Sequence, residues 1–372
     1  MKLTIERAAF LKALGHVQSV VERRTTIPIR SDVLLRAEPG RLALSATEMD
    51  LEIVERVTAH IEREGRTTAP AHTLYDIVRK LREGAQIEIE TSGERNAIVL
   101  RSGRSTFTLA CLPPEDYPLM ASGELPYNFS LSATELRTLI DRTRFAISTE
   151  ETRYYLNGIY LHATKADEVP VIRAVATDGH RLARMEMVLP EGAAGMPGII
   201  IPRKTVLELR KLVEESEDEV QIGLGETKIR LAVGEAALTS KLIDGTFPDY
   251  DRVIPSNNDK TLEVNRKDFA EAVDRVSTIS TEKSRAVKLK IEHGSLEISA
   301  TSPENGKAEE ELEARYSAAP LEIGFNSRYL LDIADQIQGE GVQFELSDAG
   351  SPTIVRDSDD RSALYVLMPM RV

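Results

Sequence analysis
Three stretches of this chain superpose without a gap: LTIERAAFLKALGHV (3–17), FSLSATELRTLIDRT (129–143) and LEVNRKDFAEAVDRV (262–276). Their apolar positions coincide: Leu3, Ile5, Phe10, Leu14 and Val17; Phe129, Leu131, Leu136 and Ile140; Leu262, Val264, Phe269, Val273 and Val276. Only Thr143 breaks the set. The first two positions of each copy are spaced for one face of a strand, the rest for one face of a helix. Chance amphipathicity explains one helical spacing, but not the same strand-to-helix switch three times. A chain built this way is a tandem of one supersecondary unit.

A second pattern returns roughly 65 to 70 residues after each start. In APAHTLYDIVRKL (69–81), IPRKTVLELRKLV (201–213) and FNSRYLLDIADQI (325–337), Leu74, Ile77 and Leu81 match Val206, Leu209 and Val213, and then Leu330, Ile333 and Ile337. Each reads as a strand end, a short polar turn and a helix. Between the helices, alternating runs with turn signals predict hairpin strands over 41–57, 87–109, 220–233 and 289–300. The fold class that follows is α+β: three repeated domains, each with two helices on one side of antiparallel sheets. Turn-rich polar stretches at 121–128 and 255–261 set the expected domains as 1–125, 126–256 and 257–372.

With 41% apolar and 29% charged residues the chain reads as soluble and globular, and no apolar run approaches the ~20 residues of a membrane span. The opening MKLTIERAAF alternates and then turns helical, which reads as structure rather than a signal peptide. The single Cys111 excludes an internal disulfide and fits a reducing cytoplasm. Net charge is −13, but it is unevenly placed. The six helices expected at 7–24, 71–82, 133–144, 203–213, 266–276 and 326–338, with their caps, carry about +8, leaving about −21 on the remainder. A molecule basic on its helices and acidic elsewhere draws a polyanion to the first surface and repels it from the second.

One loop invites a chemical reading. In RAVATDGHRLARME (173–186), Asp178 and His180 suggest a catalytic or metal-binding turn, and a hydrolase using both is the alternative to a binding function. The six His (16, 60, 72, 162, 180 and 293) show no paired ligand spacing, and HExxH, GxSxG and GxxxxGK do not occur. No metal, cofactor or catalytic residue is therefore expected. Gly179 suits a tight turn in which Asp178 holds its own backbone. A buried, structural His180 is the plainer alternative to a binding role.

The stretches RYYLNG (153–158), ATDGHRLA (176–183), IPRK (201–204), TSKLIDGTFPDY (239–250) and YVLMPMRV (365–372), in this order, resemble the bacterial DNA polymerase III beta subunits, the replicative sliding clamps. The similarity runs along the entire chain. It implies a non-catalytic processivity factor: a head-to-tail homodimeric ring whose helices line a hole around double-stranded DNA, held without sequence preference. It also implies a peptide cleft that tethers the DNA polymerase III alpha subunit, an ATP-dependent clamp loader and other proteins with clamp-binding motifs, in the cytoplasm and with no membrane partner. The resemblance puts DNA contacts at Arg24 and at Tyr154 and Tyr155, and Arg203 and Lys204 join them from their place on an inner helix. His72, where the family often has a basic residue, and Glu150, just before RYY, depart from the pattern and put direct contact there in question.

Cleft positions matched by the resemblance are Leu156, Thr177, Gly179, His180, Arg181, Leu182, Pro248, Arg252 and Val253, with the tail Val366, Leu367, Met368, Pro369, Met370 and Arg371. Leu, Val, Pro and Met make a pliable apolar groove, and Arg252 and Arg371 can hold polar peptide ends. Ring closure needs two edge strands that pair across subunits. The expected pair is 101–109, with Arg101, Arg104, Phe107 and Leu109, against 307–316, with Glu309, Glu310 and Glu311, joined by Ile279 and Glu304. Opposite charges favour this heterologous contact and penalise like edges meeting.

Overall fold
The repeated strand-to-helix switch is built with the same local chemistry in each copy. In a computed structural model that describes residues 1–372 except Arg24, Glu94, Arg95, Ser122 and 281–284, each copy contributes two helices. They are α1 (Arg7–Val20), α2 (Ala71–Lys80), α3 (Ala133–Asp141), α4 (Arg203–Leu212), α5 (Arg266–Ser277) and α6 (Ser327–Ala334). Polar residues at the strand ends cap α1, α3, α5 and α6, whereas α2 follows Pro70 without a side-chain cap. The Glu6 carboxylate accepts from the Ala9 N–H at 2.9 Å, and Asn265 and Asn326 do the same for α5 and α6. At α3 a reciprocal box forms, the Ser132 hydroxyl accepting from the Glu135 N–H and Glu135 accepting from the Ser132 N–H.

The helix positions of the first pattern turn inward, Phe10, Leu14, Val17, Leu136, Ile140, Phe269, Val273 and Val276 being buried; in the second pattern Ile77 and Leu81 stay half-buried and Val78 is buried instead. Truncating a fully buried ring such as Phe10 costs about 3–5 kcal/mol. Thr143, the exception, is also fully buried, and its hydroxyl donates to the Leu139 carbonyl at 2.6 Å. A satisfied hydroxyl lets a polar residue occupy a core position. Some helices stop short of the sequence expectation. Helix α1, expected to reach 24, ends at Val20 because Val21 turns to an extended backbone, and α6 ends at Ala334 instead of 338.

Contacts divide the chain into two compact units that cut across the repeats: 1–137 with 190–196 and 204–242, and 138–189 with 197–203 and 243–372. Strand pairing explains the cut. In the first unit Ala236–Lys241, from the second repeat, pairs antiparallel with Leu51–Thr58, from the first, with Leu238 opposite Ile53. In the second unit Arg181–Val188, from the second repeat, pairs with Ala363–Leu367, from the third, with Leu182 opposite Val366. Each eight-stranded sheet is thus assembled from two repeats. In the other two sheets, Ser105–Ala110 is the last strand of the five-stranded one and Gly306–Glu313 the last of the four-stranded one, each pairing with one strand among the described residues.

Candidate functional site
The turn between Val169–Thr177 and Arg181–Val188 is held by its own side chains. Asp178 Oδ1 accepts the backbone N–H groups of His180 (2.9 Å) and Arg181 (3.0 Å), while the Thr177 hydroxyl donates to the Arg181 carbonyl at 2.7 Å. Gly179 sits at φ +89°, where a side chain would be strained and would also press on the Arg153 guanidinium. Asp178 Oδ2 faces Arg181 Nε at 3.1 Å. Both carboxylate oxygens are therefore engaged in holding the loop. His180 is exposed, so the expectation of a buried structural imidazole does not hold.

Arg181, a cleft position expected from the sequence, is tied into the fold. Its Nη1 meets Asp332 at 2.5 Å, Nη2 donates to the Phe145 carbonyl at 2.7 Å, and the guanidinium lies over the Tyr329 ring at 4.2 Å. These contacts lock the turn to α6.

Beneath the turn lies an apolar floor. Leu156, Val175, Leu182, Ile200, Phe247, Tyr250, Ile354, Leu364 and Val366 form one buried cluster, with Tyr155 and Tyr160 packed against it. Three of these, Leu156, Leu182 and Val366, were expected in the cleft from the sequence. Around the floor stand exposed side chains: His180, Pro248, Arg252, Val253 and Met368, the last 43% exposed. The Met368 N–H donates to the His180 carbonyl at 3.0 Å, so the tail and the turn form one continuous wall. Further along, Met370 bonds the Gly324 carbonyl, Pro369 is half-buried and Arg371 is exposed. Arg252 pairs with Asp249 at 2.8 Å. Leu367 is a correction: strand alternation turns it to the opposite face, where it lines the helix-side core with Phe269, Leu330 and Phe344.

Sequence reasoning missed Val175, Phe247, Tyr250 and Ile354. The signal was present in the alternation of 169–177 and in TFPDY, from which only Pro248 was taken. Tyr160 stacks between Phe247 (4.8 Å) and His162 (4.7 Å). The Tyr250 hydroxyl meets His162 Nε2 at 2.8 Å and accepts from Arg173, which pairs with Glu186 at 2.5 Å. Burial, with the Arg173 charge added, holds the His162 pKa below its ordinary value.

The residues expected at DNA differ in their freedom. Arg24 lies outside the described residues. Tyr154 is 53% exposed and meets the half-buried Tyr155 edge-on at 5.7 Å. Arg203 is exposed on the first turn of α4. Lys204 instead pairs with Glu48 and donates to the Val20 carbonyl, so its charge is answered within the fold. Other helix cations are engaged as well: Arg137 donates to the carbonyls of Val213 and Ser216, and Arg142 pairs with Asp360. The sequence count therefore overstates the positive charge left for a ligand. Glu150 pairs with Arg153 through two contacts of 2.8 Å, and His72 bonds Gln18 and the Val21 carbonyl.

At the sheet edges, Arg104 is exposed in the turn before Ser105–Ala110, and Phe107 and Leu109 are half-buried on that strand. Arg101 stands one strand inside the edge and bridges Glu88 and Glu90 of its own sheet. On Gly306–Glu313, Glu309 and Glu311 are exposed, and Glu310 turns back to Arg275 at 2.6 Å. Glu304 is exposed in the preceding turn, and the half-buried Ile279 accepts from Asn305 through its carbonyl.

Three family models match in succession: the DNA polymerase III beta subunit N-terminal domain over 1–121, its central domain over 130–249 and its C-terminal domain over 251–371. The chain is 55% identical over 372 residues to the beta sliding clamp of Caulobacter vibrioides and 40% identical over 373 residues to that of Escherichia coli K12, with all of both chains covered. Among solved structures it resembles a sliding clamp from Bartonella birtlesii bound to griselimycin, with a TM-score of 0.97 and 55% identity over the whole of both chains.

Proposed function
The chain belongs to the DNA polymerase III beta subunit family, the beta sliding clamps, and from that membership we propose how its own residues do a clamp's work. It is a DNA sliding clamp, a non-catalytic processivity factor of replication. Two copies close head to tail, the Ser105–Ala110 edge of one meeting the Gly306–Glu313 edge of the other. Arg104 faces the acidic stripe of Glu309 and Glu311, with Glu304 beside it, and Phe107, Leu109 and Ile279 supply apolar contact. The domains are 1–125, 126–256 and 257–372. The ring holds DNA by enclosure, so Arg24, Tyr154, Tyr155 and Arg203 need only weak, sequence-independent contacts. Lys204 acts from behind, anchoring α4.

Partner peptides, including those of the polymerase alpha subunit and of an ATP-driven loader, lie across the apolar floor between the 177–181 turn and the 366–370 tail. One observation carries this reading: the Met368–His180 bond joins turn and tail into a wall over a floor of Leu156, Val175, Leu182 and Val366. The Bartonella birtlesii relative was solved with griselimycin, and the same compound is expected to bind here. Fluorescence titration of labelled griselimycin against the wild type and a Met368→Asp variant tests it. A loss of roughly tenfold or more supports the floor as the site; unchanged affinity removes it. The cytoplasm is the proposed location.

A further inference from the structure
The repeat places a second copy of this frame at the other sheet junction, wholly inside the first compact unit. There the turn Thr47, Glu48, Met49, Asp50, Leu51 corresponds position for position to Thr177, Asp178, Gly179, His180, Arg181. Leu51 stands opposite Ser240 as Arg181 stands opposite Leu367. The Lys241 N–H donates to the Asp50 carbonyl at 2.8 Å, as Met368 does to His180. The connectors also match, around the buried Tyr117 and Tyr250.

Two features set this junction apart. Met49 replaces Gly179 and still adopts a positive φ, +36°, with its side chain 71% exposed. Leu119, two residues past Tyr117, is 60% exposed. A left-handed backbone strains an ordinary residue, and an apolar side chain held in water there adds nothing to the core. Between these residues is a hollow of about 250 Å³ lined by Met49, Leu119 and Met120 and by Arg30, Lys228 and Lys241. Asp50 answers Lys241 at 2.7 Å, and Lys228 donates to the Ala121 carbonyl. Arg30 meets no carboxylate among the described residues.

We propose that this hollow docks a linear peptide of a partner protein in which an apolar side chain stands beside a carboxylate. Met49, Leu119 and Met120 take the apolar side chain, and Arg30 with Lys228 takes the carboxylate. With Lys241 answered by Asp50, Arg30 and Lys228 remain outside any ion pair among the described residues, and two such cations beside one apolar hollow select an acidic peptide over a basic one. The site stands apart from the floor beneath the 177–181 turn and does not depend on it.

The test is methyl NMR on the full chain with ¹³C-methyl methionine, using acetyl-Asp-Leu-Leu-Glu amide as probe and acetyl-Lys-Leu-Leu-Lys amide as control. Saturable shifts of the Met49 and Met120 methyls with the acidic probe alone are expected. Met49→Gly, which suits the turn and removes the anchor, is expected to weaken binding read at Met120 by roughly tenfold. Arg30→Glu should do the same. Shifts confined to Met368 and Met370, an equal response to the basic peptide, or undiminished affinity in Met49→Gly would each overturn the proposal.

Discussion

The two sheet junctions share a backbone but not a floor. At the second, Val175, Leu182, Ile354 and Val366 are buried and apolar. Strand register identifies their counterparts at the first as Ser45, Glu52, Arg230 and Thr239. Glu52 is half-buried, and burial pushes its carboxyl pKa up, while Arg230 remains exposed. The repeat thus supplies the turn, the connector and the bond from tail to turn twice, and side-chain chemistry alone decides what each frame can hold. A floor of four apolar side chains anchors a peptide by desolvation; a polar floor leaves only the rim to do so.

Moving one floor into the other frame is the most damaging test of this contrast. Leu182→Glu with Val366→Thr copies the Glu52 and Thr239 pair into the second junction. Peptide affinity there should fall by more than about 100-fold, equivalent to ~2.7 kcal/mol. Leu182→Glu alone buries an unpaired carboxylate, so a thermal melt should accompany the titration, and Val366→Thr alone provides the milder version. Undiminished binding in a folded double variant would mean that the floor does not hold the peptide.

A smaller effect separates the wall from the floor. Arg181 locks the turn through Asp178, Asp332 and Tyr329, a set without a counterpart at the first junction, where the equivalent residue is Leu51. Breaking such a buried pair from one side costs about 3–5 kcal/mol. Asp332→Ala is expected to lower stability toward the low end of that range, because Asp332 is partly solvated, and to weaken peptide binding. Arg181→Lys should not restore the wild-type behaviour, since an ammonium cannot make the stacked, multidentate contact. Urea denaturation and peptide titration on the same samples read both effects.

The smallest effect is a pH dependence. His162, stacked on Tyr160 under the second junction, has its pKa held down by burial and then by Arg173. The folded chain therefore binds a proton there less readily than the unfolded one. Its stability is fully present above the unfolded histidine value, about 6.5, and is lost as the pH falls through it. Replacing His162 with Gln should shrink the difference in urea midpoint between pH 7.5 and pH 5.5. An unchanged difference would place the acid sensitivity elsewhere.

Much of this frame was legible in the sequence because the repeat constrains periodicity twice over. Phe10, Phe129 and Phe269 fixed the helix and strand faces without knowledge of the partners. What periodicity does not carry is which cations remain free. Lys204, Arg137 and Arg181 are ordinary basic residues in the sequence, and only the folded chain brings Glu48, the Val213 carbonyl and Asp332 to them. The floor was legible only in part, for a related reason. Leu156, Leu182 and Val366 belong to matched stretches, whereas Val175 and Ile354 come from unremarkable alternating strands and join the cluster only through cross-repeat pairing.

Enclosure, not affinity, should keep this protein on DNA, and retention measures that most directly. Clamp loaded onto circular DNA is passed through a sizing column at high salt, before and after linearising the DNA with one cut. The protein is expected to stay on the closed circle and slide off the cut one, at salt concentrations that abolish phosphate contacts. Equal loss from both forms would contradict it.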